Sequence, residues 1–229
     1  MKLSVLIPVY NEMKTLAEII KRVESVRIDG FGKEIIVIDD CSTDGSADFI
    51  RNLKGRNIKK FFHQVNRGKG AAVRTGLSHA TGSVIIIQDA DLEYNPGDYR
   101  ILLDAMHSLK ADVVYGTRMS SLTRKQMHTM HYFGNKILTF FTNMLYHCRI
   151  TDMETCYKMF RREVVRGMNL KARKFDFEPE ITAKILKRGY KIYEVPINFN
   201  PRTFREGKKI TWKDGLVHLY YIIKYRFFD

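Results

Sequence analysis

The chain has 229 residues, 45% of them hydrophobic, with only 5 prolines and 15 glycines; that apolar content supports a buried core and excludes collagen-like and disordered classes. The formal charge of +14 is uneven: residues 1–115 carry 16 Lys/Arg against 15 Asp/Glu, and residues 116–229 carry 23 against 10. A second half this basic attracts nucleic acid, an anionic membrane surface or a phosphate-bearing substrate by the same Coulomb term. Short β-branched runs recur at Leu3–Ile7, Glu34–Asp39, Ile58–His63, Val84–Gln88 and Asp112–Tyr115, the pattern of strands buried on both faces. Between them stand helical spacings: Leu16, Ile19, Ile20 and Val23, then Ala47–Leu53, Ala71–Ala80 and Tyr99–Leu109. This alternation predicts an α/β fold, a mostly parallel sheet flanked by helices. Further on, His131–Tyr146 is apolar on more than one helical face, Glu180–Lys187 reads as a helix, Tyr190–Phe199 alternates like a strand, and Trp212–Phe228 is an aromatic helix interrupted by Lys224 and Arg226. No linker composition separates the halves, so one domain over 1–229 is expected, with a basic second lobe over 119–229.

Cys41, Cys148 and Cys156 show no Cys-x-x-Cys spacing, which indicates reduced thiols rather than a disulfide framework or zinc site. Asn11 and Glu12 interrupt the first apolar run too early for a secretory signal, and no window of about 18 residues is apolar enough to span a bilayer. The expected location is cytoplasmic, at most peripheral to a membrane.

Open parallel sheets place ligands beyond the carboxyl ends of their strands. Three such ends are chemically loaded. Pro8-Val-Tyr-Asn-Glu12 presents an aromatic ring and a carboxylate after the first strand, although a glutamate there also suits a helix N-terminus. Asp39 and Asp40 stand side by side at the second strand end, where two acids repel unless a donor or cation answers them. Gln88-Asp-Ala-Asp-Leu-Glu93 follows the apolar run Val84–Ile87, the fourth strand. Read as an extended segment, it points its alternating carboxylates one way, a set of oxygens suited to a hard divalent cation and, through it, a diphosphate. Asn66-Arg-Gly-Lys-Gly70 has the wrong spacing for a nucleotide P-loop, and no Gly-x-Gly-x-x-Gly follows the first strand; P-loop and NAD chemistry are disfavoured. His128 and His131 lack a carboxylate partner at metal-ligand spacing.

Taken together, Leu3–Glu12, the Val37-Ile-Asp-Asp40…Ser42…Asp44-Gly45 block, Asn66…Gly68-Lys-Gly70 and Asp89-Ala-Asp91 resemble the family-2 glycosyltransferases with the nucleotide-sugar-binding GT-A fold. Gly116-Thr-Arg118, Thr151-Asp-Met-Glu-Thr155 and Arg202…Gly207-Lys-Lys209 resemble the dolichol-phosphate or polyprenyl-phosphate mannosyltransferase branch. The resemblance covers nearly the whole chain and is strongest through residue 118. It implies that Pro8, Tyr10 and Glu12 surround the nucleotide, that Ile38 and Asp40 lie near its base, and that Asp89, Ala90 and Asp91 meet the diphosphate and a Mg²⁺ or Mn²⁺ ion. Glu93 stands where relatives of that branch often carry Gln as a further metal ligand. Arg118, Arg202 and Lys208 or Lys209 would hold diphosphate or acceptor phosphate.

What the resemblance implies chemically is an inverting transfer of a hexose, first of all mannose from GDP-mannose, to a polyprenyl or dolichyl phosphate, with Asp89, Asp91 and Arg118 closest to the reaction. A phosphate monoester has a second pKa of about 6 and supplies its own nucleophile. The basic half and the apolar helices would then meet anionic lipid. An alternative uses another donor such as UDP-glucose and a saccharide or protein hydroxyl, which needs a general base, with Asp152 or Glu154 the first residues to inspect. A remoter alternative, a non-catalytic nucleic-acid-binding protein, has only the charge behind it and neither a zinc-finger spacing nor an RNP motif.

Overall fold

A computed structural model describes residues 1–120, 129–174, 176–202 and 212–228. Lys208, Lys209 and His128 lie outside the described residues. Strands β1 (Lys2–Val9), β2 (Gly32–Asp39), β3 (Ile58–Phe62) and β4 (Val84–Ile87) alternate with helices α1 (Met13–Ser25), α2 (Ser46–Asn52) and α3 (Lys69–His79). After α4 (Tyr99–Ser108) come β5 (Val113–Thr117), α5 (Thr129–Tyr146), β6 (Lys158–Arg161), a short α6 (Arg162–Val165), α7 (Phe177–Lys187), β7 (Ile192–Pro196) and α8 (Trp212–Phe227).

The strands form one seven-stranded sheet in the order β3-β2-β1-β4-β6-β5-β7. All pairings are parallel except those of β6, which runs antiparallel between β4 and β5. β6 is absent from the sequence reading: four residues, Lys158-Met-Phe-Arg161, carry too little periodicity to separate from a loop. Its place matters because it makes the sheet continuous across residue 118.

Both sheet faces are covered. Val5, Ile7, Ile35 and Val37 pack with Leu16, Ile19, Ile20 and Val23 of α1 on one side. Leu6, Ile36 and Ile38 meet Ala72 and Val73 of α3 on the other, in a cluster continuing to Phe160, Phe177 and Ile181. This burial explains why β1, β2 and β4 read as nearly unbroken Val/Ile/Leu runs. Beyond β5 the second cover layer is made by α5, α7 and α8, with the Tyr146 hydroxyl donating to the Ile222 carbonyl at 2.8 Å. No helix among the described residues is long and apolar enough to cross a membrane.

Candidate functional site

The carboxyl ends of β1, β2 and β4 open on one cavity of about 940 Å³ whose wall includes Pro8, Tyr10, Glu12, Asp40, Lys69, Asp89, Ala90, Asp91, Glu93, Arg118 and Arg202. Most of the expected residues therefore meet in one place. Ile38 does not: its side chain is wholly buried in the core, because β2 turns that position toward α3 rather than toward the sheet mouth.

Asp40 is answered from within the chain, Asp39 at one oxygen only. The Asp40 carboxylate takes the backbone N–H groups of Arg67 at 2.9 Å and Gly68 at 2.7 Å, with His63 Nδ1 at 2.6 Å. Asp39 accepts from the Ser42 N–H at 3.1 Å. Asp40 thus pins the Asn66–Gly70 loop to the end of β2, its charge answered by hydrogen bonds, whereas among the described residues Asp39 Oδ1 is buried with no hydrogen-bond partner.

The Asp89–Glu93 segment is a turn, not the extended strand expected from the spacing; Leu92 sits at φ 63°, and the Glu93 N–H bonds Asp91 Oδ1 at 3.1 Å. The turn separates the acids. Asp89 faces Lys69 Nζ at 2.9 Å, and Lys69 also touches Cys156 Sγ at 3.1 Å and Glu178 at 3.2 Å. Asp91 and Glu93 instead face Arg202, whose Nη2 lies 2.7 Å from Asp91 Oδ2 and whose backbone N–H bonds Glu93 at 2.9 Å. Arg202 Nη1 reaches Glu12 at 3.0 Å.

Charge follows from these contacts. Burial pulls the Lys69 ammonium down, but Asp89, Cys156 and Glu178 outweigh it and hold it well above the usual lysine range. Asp89 is burdened by burial yet lowered by Lys69. Asp91 is pushed up to about 7, by burial first and then by Asp89 and Glu93, with Arg202 opposing. Among the described residues the ion pairs of Glu12, Asp89, Asp91 and Glu93 run to Lys69 and Arg202, four carboxylates to two basic side chains, a formal excess of negative charge within that set. Hard carboxylate oxygens under such an excess fit a divalent cation such as Mg²⁺ or Mn²⁺. Among the described residues no three His, Cys, Asp or Glu side chains converge as a finished metal cage, because the two basic side chains hold the acids in separate groups.

The Thr151–Cys156 loop distributes the rest of the wall. Asp152 takes Arg118 Nε at 2.8 Å and Nη2 at 2.7 Å, and Asn135 Nδ2 at 2.7 Å. Arg118, expected to face a phosphate, is therefore held in a buried bidentate pair, its guanidinium 5.2 Å from the Phe199 ring centroid. Glu154 takes His218 Nδ1 at 2.8 Å, and its Oε1 is buried with no hydrogen-bond partner among the described residues. Cys156 completes the contact to Lys69.

Lys69, Cys156, Glu178 and His218 were not among the expected site residues. Lys69 had a signal, a cation between two glycines after a strand. Glu178 and His218 had none, since nothing near them in sequence marks a site. The cavity wall also includes Met130, His131, Phe133, Ile137 and Leu138 of α5 and Gly215 and His218 of α8, so an acidic region and an apolar one share a single space.

The Glycosyl transferase family 2 model matches residues 4–168, most of the chain. Glycosyltransferase AglJ of Haloferax volcanii is 29% identical over 199 residues, which are 86% of this chain and 63% of that protein; the chain spans less than two thirds of this curated relative. Glucosyl-3-phosphoglycerate synthase of Mycobacterium tuberculosis, solved with Mn²⁺, UDP and phosphoglyceric acid, is similar in structure with a TM-score of 0.72 at 16% identity, covering 98% of this chain and 76% of that one. TarS 1-349 of S. aureus, solved with UDP-GlcNAc, gives 0.62 at 16% identity, covering 98% and 67%. The chain belongs to glycosyltransferase family 2 and has the fold of these GT-A enzymes.

Proposed function

We propose that this family-2 glycosyltransferase moves a hexose from a nucleoside-diphosphate sugar to a polyprenyl phosphate at a membrane surface. The observation that carries the reading is the shared cavity: the wall that includes Asp89, Asp91 and Glu93 also includes Met130, Phe133 and Ile137. Those three begin an exposed stripe on α5, Met130, Phe133, Ile137, Phe140 and Met144, spaced as one helical face. Leu216, Tyr220, Ile223 and Phe227 form a similar stripe on α8. An acceptor with a charged head and an apolar tail suits a cavity continuous with such a face.

In this reading the nucleotide lies against Pro8, Tyr10 and Glu12. A divalent cation held by Asp89, Asp91 and Glu93 would supply neutralisation of the leaving diphosphate. Lys69 stands beside Asp89 as a second source of positive charge, and Arg202 aligns phosphate groups that would otherwise repel. The acceptor phosphate attacks C1 of the sugar, the bond to the diphosphate breaks, and the configuration inverts. No base is needed, because the phosphate is already ionised near neutrality. GDP-mannose is the first donor suggested by the branch resemblance; the UDP and UDP-GlcNAc carried by the solved relatives support a UDP-sugar equally.

Glu154 favours a second reading. Of the two acids open to a hydroxyl acceptor, Asp152 is spent on Arg118 and Asn135, whereas among the described residues Glu154 Oε1 is buried without a hydrogen-bond partner. Oriented by His218, it could take the proton of an attacking hydroxyl as the new bond to C1 forms.

One assay separates these. The protein is given Mg²⁺ or Mn²⁺, radiolabelled GDP-mannose, UDP-glucose or UDP-GlcNAc, and either a short polyprenyl phosphate or the corresponding polyprenol. Labelled lipid is expected only with the phosphate, and Asp91→Ala is expected to lose at least about 100-fold in turnover with an unchanged melting temperature. Transfer to the polyprenol, lost in Glu154→Gln, would install the hydroxyl reading. Absence of product from every combination would overturn both.

A further inference from the structure

We propose that Arg202 is an internal counter-cation that engages the metal-facing carboxylates until a nucleoside diphosphate takes it over, so that metal and nucleotide bind cooperatively. The inference rests on reading Glu12, Asp91 and Glu93 as part of the donor and metal site.

Arg202 is the expected phosphate-binding arginine, yet its guanidinium is bonded to acids. It spans Asp91 at 2.7 Å, Glu12 at 3.0 Å and Glu93 at 3.8 Å. These contacts raise its affinity for its proton against the opposing effect of burial. Both oxygens of Asp91 are engaged, Oδ1 by the Glu93 N–H and Oδ2 by the arginine. A divalent ion on Asp91 Oδ2 would sit within a few ångströms of the guanidinium, and two positive groups that close repel strongly in a partly buried site. The ion and the guanidinium therefore compete for one carboxylate.

A diphosphate changes the balance by bringing negative charge to which the guanidinium can turn. The backbone from Phe199 to Arg202 is held to the Tyr94 and Glu93 turn. The Arg202 and Asn200 N–H groups bond Glu93 at 2.9 Å each, and Phe199 bridges Tyr94. The side chain swings. Once it has, Asp91 Oδ2 can take the ion, and the bound ion in turn strengthens diphosphate binding. By linkage each ligand raises the affinity of the other by the same factor. Arg202 would thus disfavour metal without donor and couple the two when both are present.

The test reads metal binding rather than turnover. The whole chain is titrated with Mn²⁺, free ion being followed by its EPR signal, alone and with saturating UDP or GDP. Wild type is expected to bind Mn²⁺ at least about tenfold more tightly with the nucleotide that binds, the size of one charge-assisted contact. Arg202→Gln is expected to bind Mn²⁺ alone about tenfold more tightly than wild type and to show a smaller nucleotide effect. Arg202→Lys, which keeps the charge, should remain close to wild type without nucleotide. It also serves if the glutamine variant melts early. Lys136→Gln, a charge change on α5 away from the acids, should leave Mn²⁺ affinity unaltered. Equal or weaker Mn²⁺ binding by Arg202→Gln without nucleotide overturns the inference, as does the absence of any nucleotide effect in wild type. If wild type transfers sugar normally while either result is obtained, only the inference falls. If no Mn²⁺ binds to any variant even with nucleotide, the metal reading of the site falls as well.

Discussion

Glu34 shows how far a single carboxylate can matter away from the cavity. It lies buried at the amino end of the sheet, accepting from the Ser4 hydroxyl and from the N–H groups of Thr81 at 2.7 Å and Gly82 at 3.1 Å, with Lys2 at 2.9 Å and Lys59 at 3.0 Å. Burial alone would raise its pKa, but Ser4, Lys2, Thr81 and Lys59 outweigh it and hold it well below the ordinary carboxylate range. A group depressed in the folded chain and ordinary in the unfolded one adds stability above its unfolded pKa, and that stability is lost as pH falls. Glu34→Gln should therefore cost about 2–3 kcal/mol at pH 7, read from urea denaturation, and the difference from wild type should shrink as pH falls below about 4. Nothing in the local sequence announced this role, because Ser4, Glu34, Thr81 and Gly82 come together only through strand pairing. Asp40 differs: its position at a strand end was legible, and what could not be read was that His63 and two N–H groups already satisfy it.

Among the elements, the Gly68-Lys-Gly70 turn into α3 best separates pattern from purpose. Its spacing disfavours a P-loop, yet its glycines have a packing reason. Gly68 has φ +85°, and a Cβ on Gly70 would stand 2.8 Å from the Ala172 carbonyl oxygen and 3.0 Å from that of Lys174. The Gly70 and Ala71 N–H groups bond the carbonyls of Lys174 and Arg173 at 3.1 Å each. The turn is thus sandwiched against a segment a hundred residues away, which is what delivers Lys69 to Asp89. Gly70→Ala should cost about 1–3 kcal/mol by overpacking and weaken nucleotide binding through Lys69; differential scanning calorimetry and nucleotide titration would check the two effects. Strand β6 was illegible for a related reason. Four residues form a strand only because β4 and β5 leave it a place, and its reversed direction breaks the β–α alternation that identifies its neighbours.

For the molecule as a whole, the basic second half and the apolar stripes of α5 and α8 act on one face only if the helices pack side by side, as the Tyr146–Ile222 contact places them. Lys136, Lys224 and Arg226 lie on the same two helices. Binding to anionic vesicles is expected, weaker on neutral ones and weaker as salt rises. Phe133→Asp or Phe140→Asp should lower the partition coefficient about tenfold or more by removing buried apolar area and adding like charge; co-sedimentation at two salt concentrations measures this, and unchanged partition would assign the face another role. The sequence by itself determined the layered α/β class, the approximate element boundaries and the acids at the strand ends, because hydrophobic period and strand-end chemistry are local properties of the chain. Tertiary structure alone decided that Asp89 faces Lys69, that Asp91 and Glu93 face Arg202, that Asp152 holds Arg118, and that His218 orients Glu154. These pairs are 20 to 111 residues apart, and contacts at such separation depend on which elements the packed core brings side by side.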